Sequence, residues 1–364
     1  MPSATTEQPA VRPRATRLER DFARALGREC PGSERVLVAV SGGRDSCVLL
    51  DLFVRCAQVR GLTLHVAHVH HGLRADAADR DAAHVAALAE AAGLPFQLER
   101  IDPRALRQRG PSRERPTLEE AARSLRRSAL LRMADASGCR RIATAHHAGD
   151  QAETLLLRLL RGTGPDGLAG MAPQSADGRW WKPLLAISPD RVAAHARSRR
   201  LVWHEDASNA DPAFSRNRVR HTLLPLLAAQ FNPAVLRALA ELAEAARVDR
   251  VWLDDLVEEA ARDRVAWRDP VLHFAIAGWQ ALPEALARRL VRRGLIEAGL
   301  GREVSRSSLL RVLAFLRRGR RTGRDKRIEL PGGFVLRRVE DHFELSATAP
   351  MQGAGDKVEG ESGC

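Results

Sequence analysis

The chain has 364 residues, 45% of them hydrophobic, with 58 basic against 45 acidic side chains and a net charge of +13. That length can bury a large core in two domains, or in one with an appendage, and the charge favours polyanionic partners, nucleic acid first. Five cysteines without a CxxC pair exclude zinc ribbons and cysteine-ligated iron–sulfur clusters; with no apolar run long enough for a signal or membrane segment, they predict a reducing, cytoplasmic compartment and no membrane partner.

The predicted elements begin after a tail. Residues 1–16 are rich in Pro, Thr, Ala and Arg without periodicity and read as disordered. From Val36 to about Leu160, short apolar runs alternate with helical patterns. VLVAV (36–40) precedes a helix to Val59, LTLHVAHV (62–69) precedes one from Ala77 to Ala92, and FQLERI (96–101) precedes one from Leu118 to Ser137. RIATAHH (141–147) then leads into a helix from Asp150. The alternation predicts a doubly wound, mostly parallel α/β sheet, whose ligands bind where strands end and helices begin.

The unusual residues fall at those junctions. In VLVAVSGGRDSCVLLDLF (36–53) the spacing fits neither the GxxxxGK[ST] loop nor the dinucleotide GxGxxG. Gly42 and Gly43 let backbone N–H groups turn toward an anion, Ser41 and Ser46 add hydroxyl donors, and the next helix directs its positive end inward. That arrangement suits a pyrophosphate. Asp45 would repel phosphate directly but suits a Mg²⁺ that bridges phosphates. The plain alternative is a tight strand–helix turn.

HVHHGLR (68–74) leaves the second strand with His70, His71 and Arg74, although a lone histidine is more often structural. In TAHHAGDQAET (144–154), Asp150 and Glu153 are three residues apart and share a helical face, facing a metal or capping the helix. His146 and His147 beside them contact phosphate or pack on the sheet edge. RGTGPDGLAGM (161–171) reads as a mobile loop over a pocket, or a connector, and WHEDASNADPAFSRNRVR (203–220) presents Arg216, Arg218 and Arg220 either to phosphates or to solvent. From Asn232 the pattern turns helical and closes with a hairpin in RIELPGGFVLRRVEDHFEL (327–345). The expected division is therefore a catalytic domain over 17–235, a smaller, mainly helical domain over 236–350 and a disordered tail over 351–364.

SGGRDS after a strand resembles the PP-loop of the N-type ATP pyrophosphatases. HVHHGLR, ATAHHAGDQAETLLLRLLRGTGPDGLAGM, WKPLL, WHEDASN and RNRVR, in this order, are similar to the tRNA(Ile)-lysidine synthetase family, strongly over about 33–235 and weakly into the second domain. The resemblance implies adenylation by ATP of the wobble cytidine O2 in the CAU anticodon of an isoleucine tRNA, then displacement of AMP by the amine of free L-lysine. It implies ATP contacts from Ser41, Gly42, Gly43, Arg44, Asp45, Ser46, His71 and His147, and Mg²⁺ on Asp45 and Asp150. Glu153 is then the partner of the lysine ammonium, Arg216 and Arg220 hold tRNA or phosphate, and a homodimer is allowed. Where the family often has two acidic residues after the histidine pair, this chain has Gly149 and then Asp150, leaving Asp150 to serve alone with Asp45. Its ARSLRR helix also lacks the tyrosine often found there.

Two rivals remain at this level. A tRNA thiolase shares the ATP chemistry but needs a sulfur carrier, which the absence of CxxC disfavours. A non-catalytic RNA-binding protein on a degenerate loop is disfavoured by the joint presence of Ser41, Asp45, Asp150 and Glu153.

Overall fold

The computed structural model describes residues 15–347 except 31, 73–74, 108–116, 206–210, 269–270 and 301–303. The expected tails over 1–16 and 351–364, and Arg74 of HVHHGLR, lie outside the described residues apart from Ala15 and Thr16, the latter capping a helix. The chain forms two compact units, Met1–Arg247 and Val248–Cys364. The sequence reading put the join near 235, where helix α11 (Val235–Arg262) begins; the units divide partway along that helix.

In the first unit, five parallel strands lie in the order β3-β2-β1-β4-β5: β1 (Arg35–Ala39), β2 (Thr63–His70), β3 (Phe96–Arg100), β4 (Arg141–Ala143) and β5 (Trp180–Trp181). Side chains alternate across a strand, so β1 feeds two cores. Val36 and Val38, with Val40 just beyond, pack into one core with α1 (Arg17–Glu29), α2 (Arg44–Arg60), α3 (Ala75–Ala91) and α8 (Pro189–Ser198). Leu37 and Ala39 face α5 (Leu118–Ala136) in the other. Both faces are covered, which is why β1 reads as an unbroken apolar run.

Helix α1 was not singled out by pattern, yet it is part of this fold. Its Leu18, Phe22 and Leu26 recur every four residues and are buried, and the Phe22 ring meets Phe53 of α2 edge-on at 5.1 Å. Thr16 and Glu19 form a capping box that sets its start. The other helices of this unit are α4 (Pro103–Arg107), α6 (Ala148–Leu160), α7 (Pro165–Leu168), α9 (Ser215–Arg218) and α10 (Leu224–Gln230), with a π-helical turn at Val219–Leu223.

The second unit has the expected helices and hairpin, and a sheet the pattern did not reveal. Strands β6 (Val265–Arg268), β7 (Val271–Ala275), β8 (Arg327–Leu330), β9 (Phe334–Val339) and β10 (His342–Ala347) are antiparallel in the order β6-β7-β10-β9-β8. Leu272, Phe274, Leu336, Phe343 and Leu345 cover one face and pack with α12 (Glu284–Glu297) and α13 (Arg306–Arg318). Among the described residues no single helix is long and apolar enough to cross a membrane.

Candidate active site at the strand edge

Because β1 and β4 are parallel neighbours, the segments that leave them emerge side by side. The chain also changes direction there, since β2 and β3 lie beyond β1 on one side and β5 beyond β4 on the other. Such a switch point opens a crevice at the carboxyl edge. Ser41–Gly43 and His146–His147 meet in it.

The first segment is a tight turn wound around Ser46. The Ser41 amide donates to Ser46 Oγ at 3.1 Å, and Ser46 Oγ donates to the Gly43 carbonyl at 2.8 Å. Gly42 adopts φ +89°, a left-handed conformation that a side chain would strain. Its carbonyl accepts from the His204 amide at 3.0 Å, and His204 Nδ1 stands 2.8 Å from Asp81 Oδ1. Thus the WHE segment and α3 together hold the turn. The sequence motifs point at His204 only as part of WHEDASN; Asp81, within an alanine-rich helix, carries no sequence signal at all.

The second segment ends in an unusual cap. His147 is the N-cap of α6, its Nδ1 accepting from the amides of Gly149 at 3.1 Å and Asp150 at 3.4 Å. Nε2 is then the nitrogen left to carry the proton, and it stands 3.4 Å from Asp45 Oδ2. Asp150 returns the cap, accepting from the His147 amide at 2.9 Å through Oδ2. Its capping and functional readings therefore hold together, because Oδ1 remains for other partners.

Those partners are the arginines of RNRVR. Arg216 Nη2 and Arg220 Nη2 donate to Asp150 Oδ1 at 2.9 and 3.1 Å. Arg216 Nε donates to Glu153 Oε2 at 2.6 Å, and Arg220 Nε donates to Oε1. Glu153 is 1% exposed, so this double clamp is what allows its charge to be buried. Asp45, His147, Asp150, Glu153, Arg216 and Arg220 thus form one continuous chain of contacts, with Arg44 Nε adding 2.9 Å to Asp45 Oδ1. His71 follows β2 on the same sheet edge, half-buried. Arg218 lies outside the chain, donating to the Pro212 and Ala213 carbonyls.

Electrostatics keep the two aspartates charged. Burial works against ionisation of Asp45, but the bond from His147 and the charge of Arg44 hold its carboxyl below the usual range. Asp150 is opposed by burial in the same way and lowered more by His147 and Arg216. Burial pushes His146 down to about 4, against the pull of Asp150, so it is neutral near pH 7. Lys182, in WKPLL, is lowered by burial and by Arg127 and Arg123. Two ionised carboxylates are hard oxygen donors of the kind Mg²⁺ accepts, and the guanidiniums beside them match phosphate oxygens.

The expected mobile loop over 161–171 is held to α6. Gln151 Nε2 donates to the Met171 carbonyl and its Oε1 accepts from the Met171 amide, while Arg158 Nη1 donates to the carbonyls of Gly167 and Gly170.

Residues 14–227 match the family model described as a PP-loop domain. The chain is 42% identical to the tRNA(Ile)-lysidine synthase of Geobacter sulfurreducens over 73% of its own length and 55% of that protein. It is 38% identical to the tRNA(Ile)-lysidine synthase of Gloeobacter violaceus, over 84% of this chain and 89% of that one. It is also 37% identical to the enzyme of that name from Symbiobacterium thermophilum, over 89% and 67%. Against the Geobacter sulfurreducens and Solibacter usitatus relatives, the matched part spans only about half of the relative's length.

Proposed function

This chain belongs to the PP-loop family, among the tRNA(Ile)-lysidine synthases, and we propose that it joins L-lysine to C2 of the wobble cytidine in the CAU anticodon of an isoleucine tRNA at the expense of ATP. The observation that carries the reading is the contact chain from Asp45 through His147 and Asp150 to Arg216, Arg220 and Glu153, at the crevice between β1 and β4.

The chemistry divides into two displacements. The cytidine O2 attacks the α-phosphorus of ATP, the bond to the β-phosphate oxygen breaks, and pyrophosphate leaves. The lysine ε-amine, having lost a proton, then attacks C2, and the C2–O bond breaks with AMP as leaving group. Adenylation is the sensible first step because a carbonyl oxygen leaves poorly and AMP leaves readily. The Ser41–Ser46 turn receives the pyrophosphate end of ATP on its backbone amides, with Arg44, His71 and His147 around it. Mg²⁺, when bound by Asp45 and Asp150, would draw negative charge from the phosphates.

The geometry adds an order to these events. In the free protein each carboxylate and each guanidinium of the cluster neutralises the other. When phosphates take Arg216 and Arg220, Glu153 loses its partners in a desolvated place, and the lysine ammonium is the cation that replaces them. Glu153 thereby becomes a lysine site only after ATP and tRNA are seated.

The test is mass analysis of tRNA digested after incubation with the chain, ATP, Mg²⁺ and labelled lysine. Lysine on a single cytidine, with AMP and pyrophosphate formed in step, is the expected result; unmodified tRNA beside a correctly folded chain would refute the proposal.

A further inference from the structure

In the second unit, three metal-ligating side chains meet on the sheet face opposite its apolar core. His342 and Glu344 are two apart on β10, so both project to one face, and His273 on β7 is the direct cross-strand partner of Glu344. One ligand atom from each of His273, His342 and Glu344 lies within 4.8 Å of the others. The two imidazoles stand 4.7 Å apart between ring centroids, and His342 Nε2 is 3.0 Å from Glu344 Oε1. Two ligands of a tetrahedral zinc, bonded at about 2.0–2.1 Å, stand about 3.4 Å apart, so this pair needs little rearrangement.

The carboxylate is also aimed. Arg337, directly across β9 from Glu344, donates to Oε2 through Nε at 3.0 Å and Nη2 at 2.7 Å, which turns Oε1 toward the histidines. A partner that fixes the orientation of a ligating carboxylate is a common support of metal sites. The neighbouring inward residues Leu272, Phe274, Phe343 and Leu345 anchor β7 and β10 in the core, so the three ligands stand on rigid strands rather than on loops. All three are half-buried, which leaves room for a water or an incoming ligand at a fourth position.

We propose that His273, His342 and Glu344 form a binding site for a divalent transition metal, zinc first, that clips β7 to β10. Two imidazole nitrogens and one carboxylate oxygen match the ligand preference of zinc and disfavour magnesium or calcium. On binding, the metal takes the place of the hydrogen bond between His342 and Glu344.

The experiment uses the untagged full chain, stripped with chelator and titrated with Co²⁺, whose visible absorption reports a four-coordinate nitrogen and oxygen site, followed by competition with Zn²⁺. The expected result is one equivalent bound with micromolar affinity, displaced by Zn²⁺ and accompanied by a higher melting temperature. His273→Gln and His342→Gln, with circular dichroism unchanged, should each weaken binding at least tenfold, and Glu344→Gln should do the same. Absence of binding at about 100 µM metal overturns the site, as does binding that persists unchanged in the His273→Gln/His342→Gln double variant. The remaining cluster of this kind among the described residues, Glu19, Asp51 and His195, is the control: Glu19→Gln should leave the Co²⁺ spectrum as it is.

Discussion

Glu153 shows how one buried carboxylate constrains its surroundings. Both of its oxygens accept from Arg216 and Arg220, and no ammonium reaches it while they stay. The free chain should therefore bind lysine weakly or not at all by calorimetry, and lysine binding should emerge once ATP, Mg²⁺ and tRNA are present; tight binding of lysine to the free chain would contradict the order. Glu153→Gln should raise the KM for lysine about tenfold, the scale of one lost charge-assisted contact, more than it affects ATP. Asp45→Asn should fold normally and lose tRNA-dependent pyrophosphate release, since it removes charge from the Mg²⁺ position without changing shape; near-normal release would exclude that role. Gly149 acts through space: a Cβ there would stand 2.9 Å from His147 Cε1 and 3.1 Å from Nδ1. Gly149→Ala should tilt the imidazole out of its cap and lower kcat/KM several-fold, and an unchanged value would show that the ring yields freely.

At the scale of elements, the cluster joins α6 to the arginine-bearing turn through charge, which ties this junction to pH. Asp45 and Asp150 have folded-state pKa values below their ordinary ones, so the stability they contribute is present above the unfolded carboxylate range and is lost as pH falls through it. His146, pushed down to about 4, acts in the same direction: between its ordinary value and about 4 the unfolded chain binds the extra proton, so stability declines from near pH 6.5 downward. His147, raised against burial by its bond to Asp45, acts the other way, so the test is a comparison: the urea midpoint of His146→Gln should fall less between pH 6.5 and 5 than that of the unsubstituted chain. Elsewhere α1 depends on packing. Phe22 is 2% exposed against Phe53, so Phe22→Ala should cost about 3–4 kcal/mol by denaturant melt, with the cluster of Asp45, Asp150 and Glu153 untouched. The π-helical turn at Val219–Leu223 precedes Pro225, which has no N–H to donate, and the wider turn is where Arg220 reaches back to α6.

For the whole molecule, the excess of 58 basic over 45 acidic residues favours polyanionic partners, the proposed tRNA among them. The second unit adds Arg317, Arg318, Arg320, Arg321, Arg324 and Arg327, of which Arg317, Arg320 and Arg327 pair with Glu284, Asp341 and Glu329. Phosphate contacts by such groups release counterions, so the logarithm of tRNA affinity should fall linearly and steeply with the logarithm of salt; a flat plot between about 50 and 200 mM would mean that arginine–phosphate contacts contribute little.

The sequence alone determined the alternation of β1 to β4 with their helices, because a parallel sheet covered on both faces demands unbroken apolar strands, and it determined the SGGRDS turn, because only glycine accepts φ +89° at position 42. It also placed Asp150 and Glu153 on one helical face, a consequence of spacing alone. What it did not hold was the pairing across distance. That Arg216 and Arg220, more than sixty residues beyond Asp150 and Glu153, neutralise those carboxylates follows from folding the chain back on itself, and local pattern contains no trace of it. Asp81 and His204 braced against the SGGRDS turn, and the antiparallel sheet of the second unit, are of the same kind. Strands there are short, half-exposed and paired in the order β6-β7-β10-β9-β8, so their partners are set by tertiary packing rather than by neighbours in sequence.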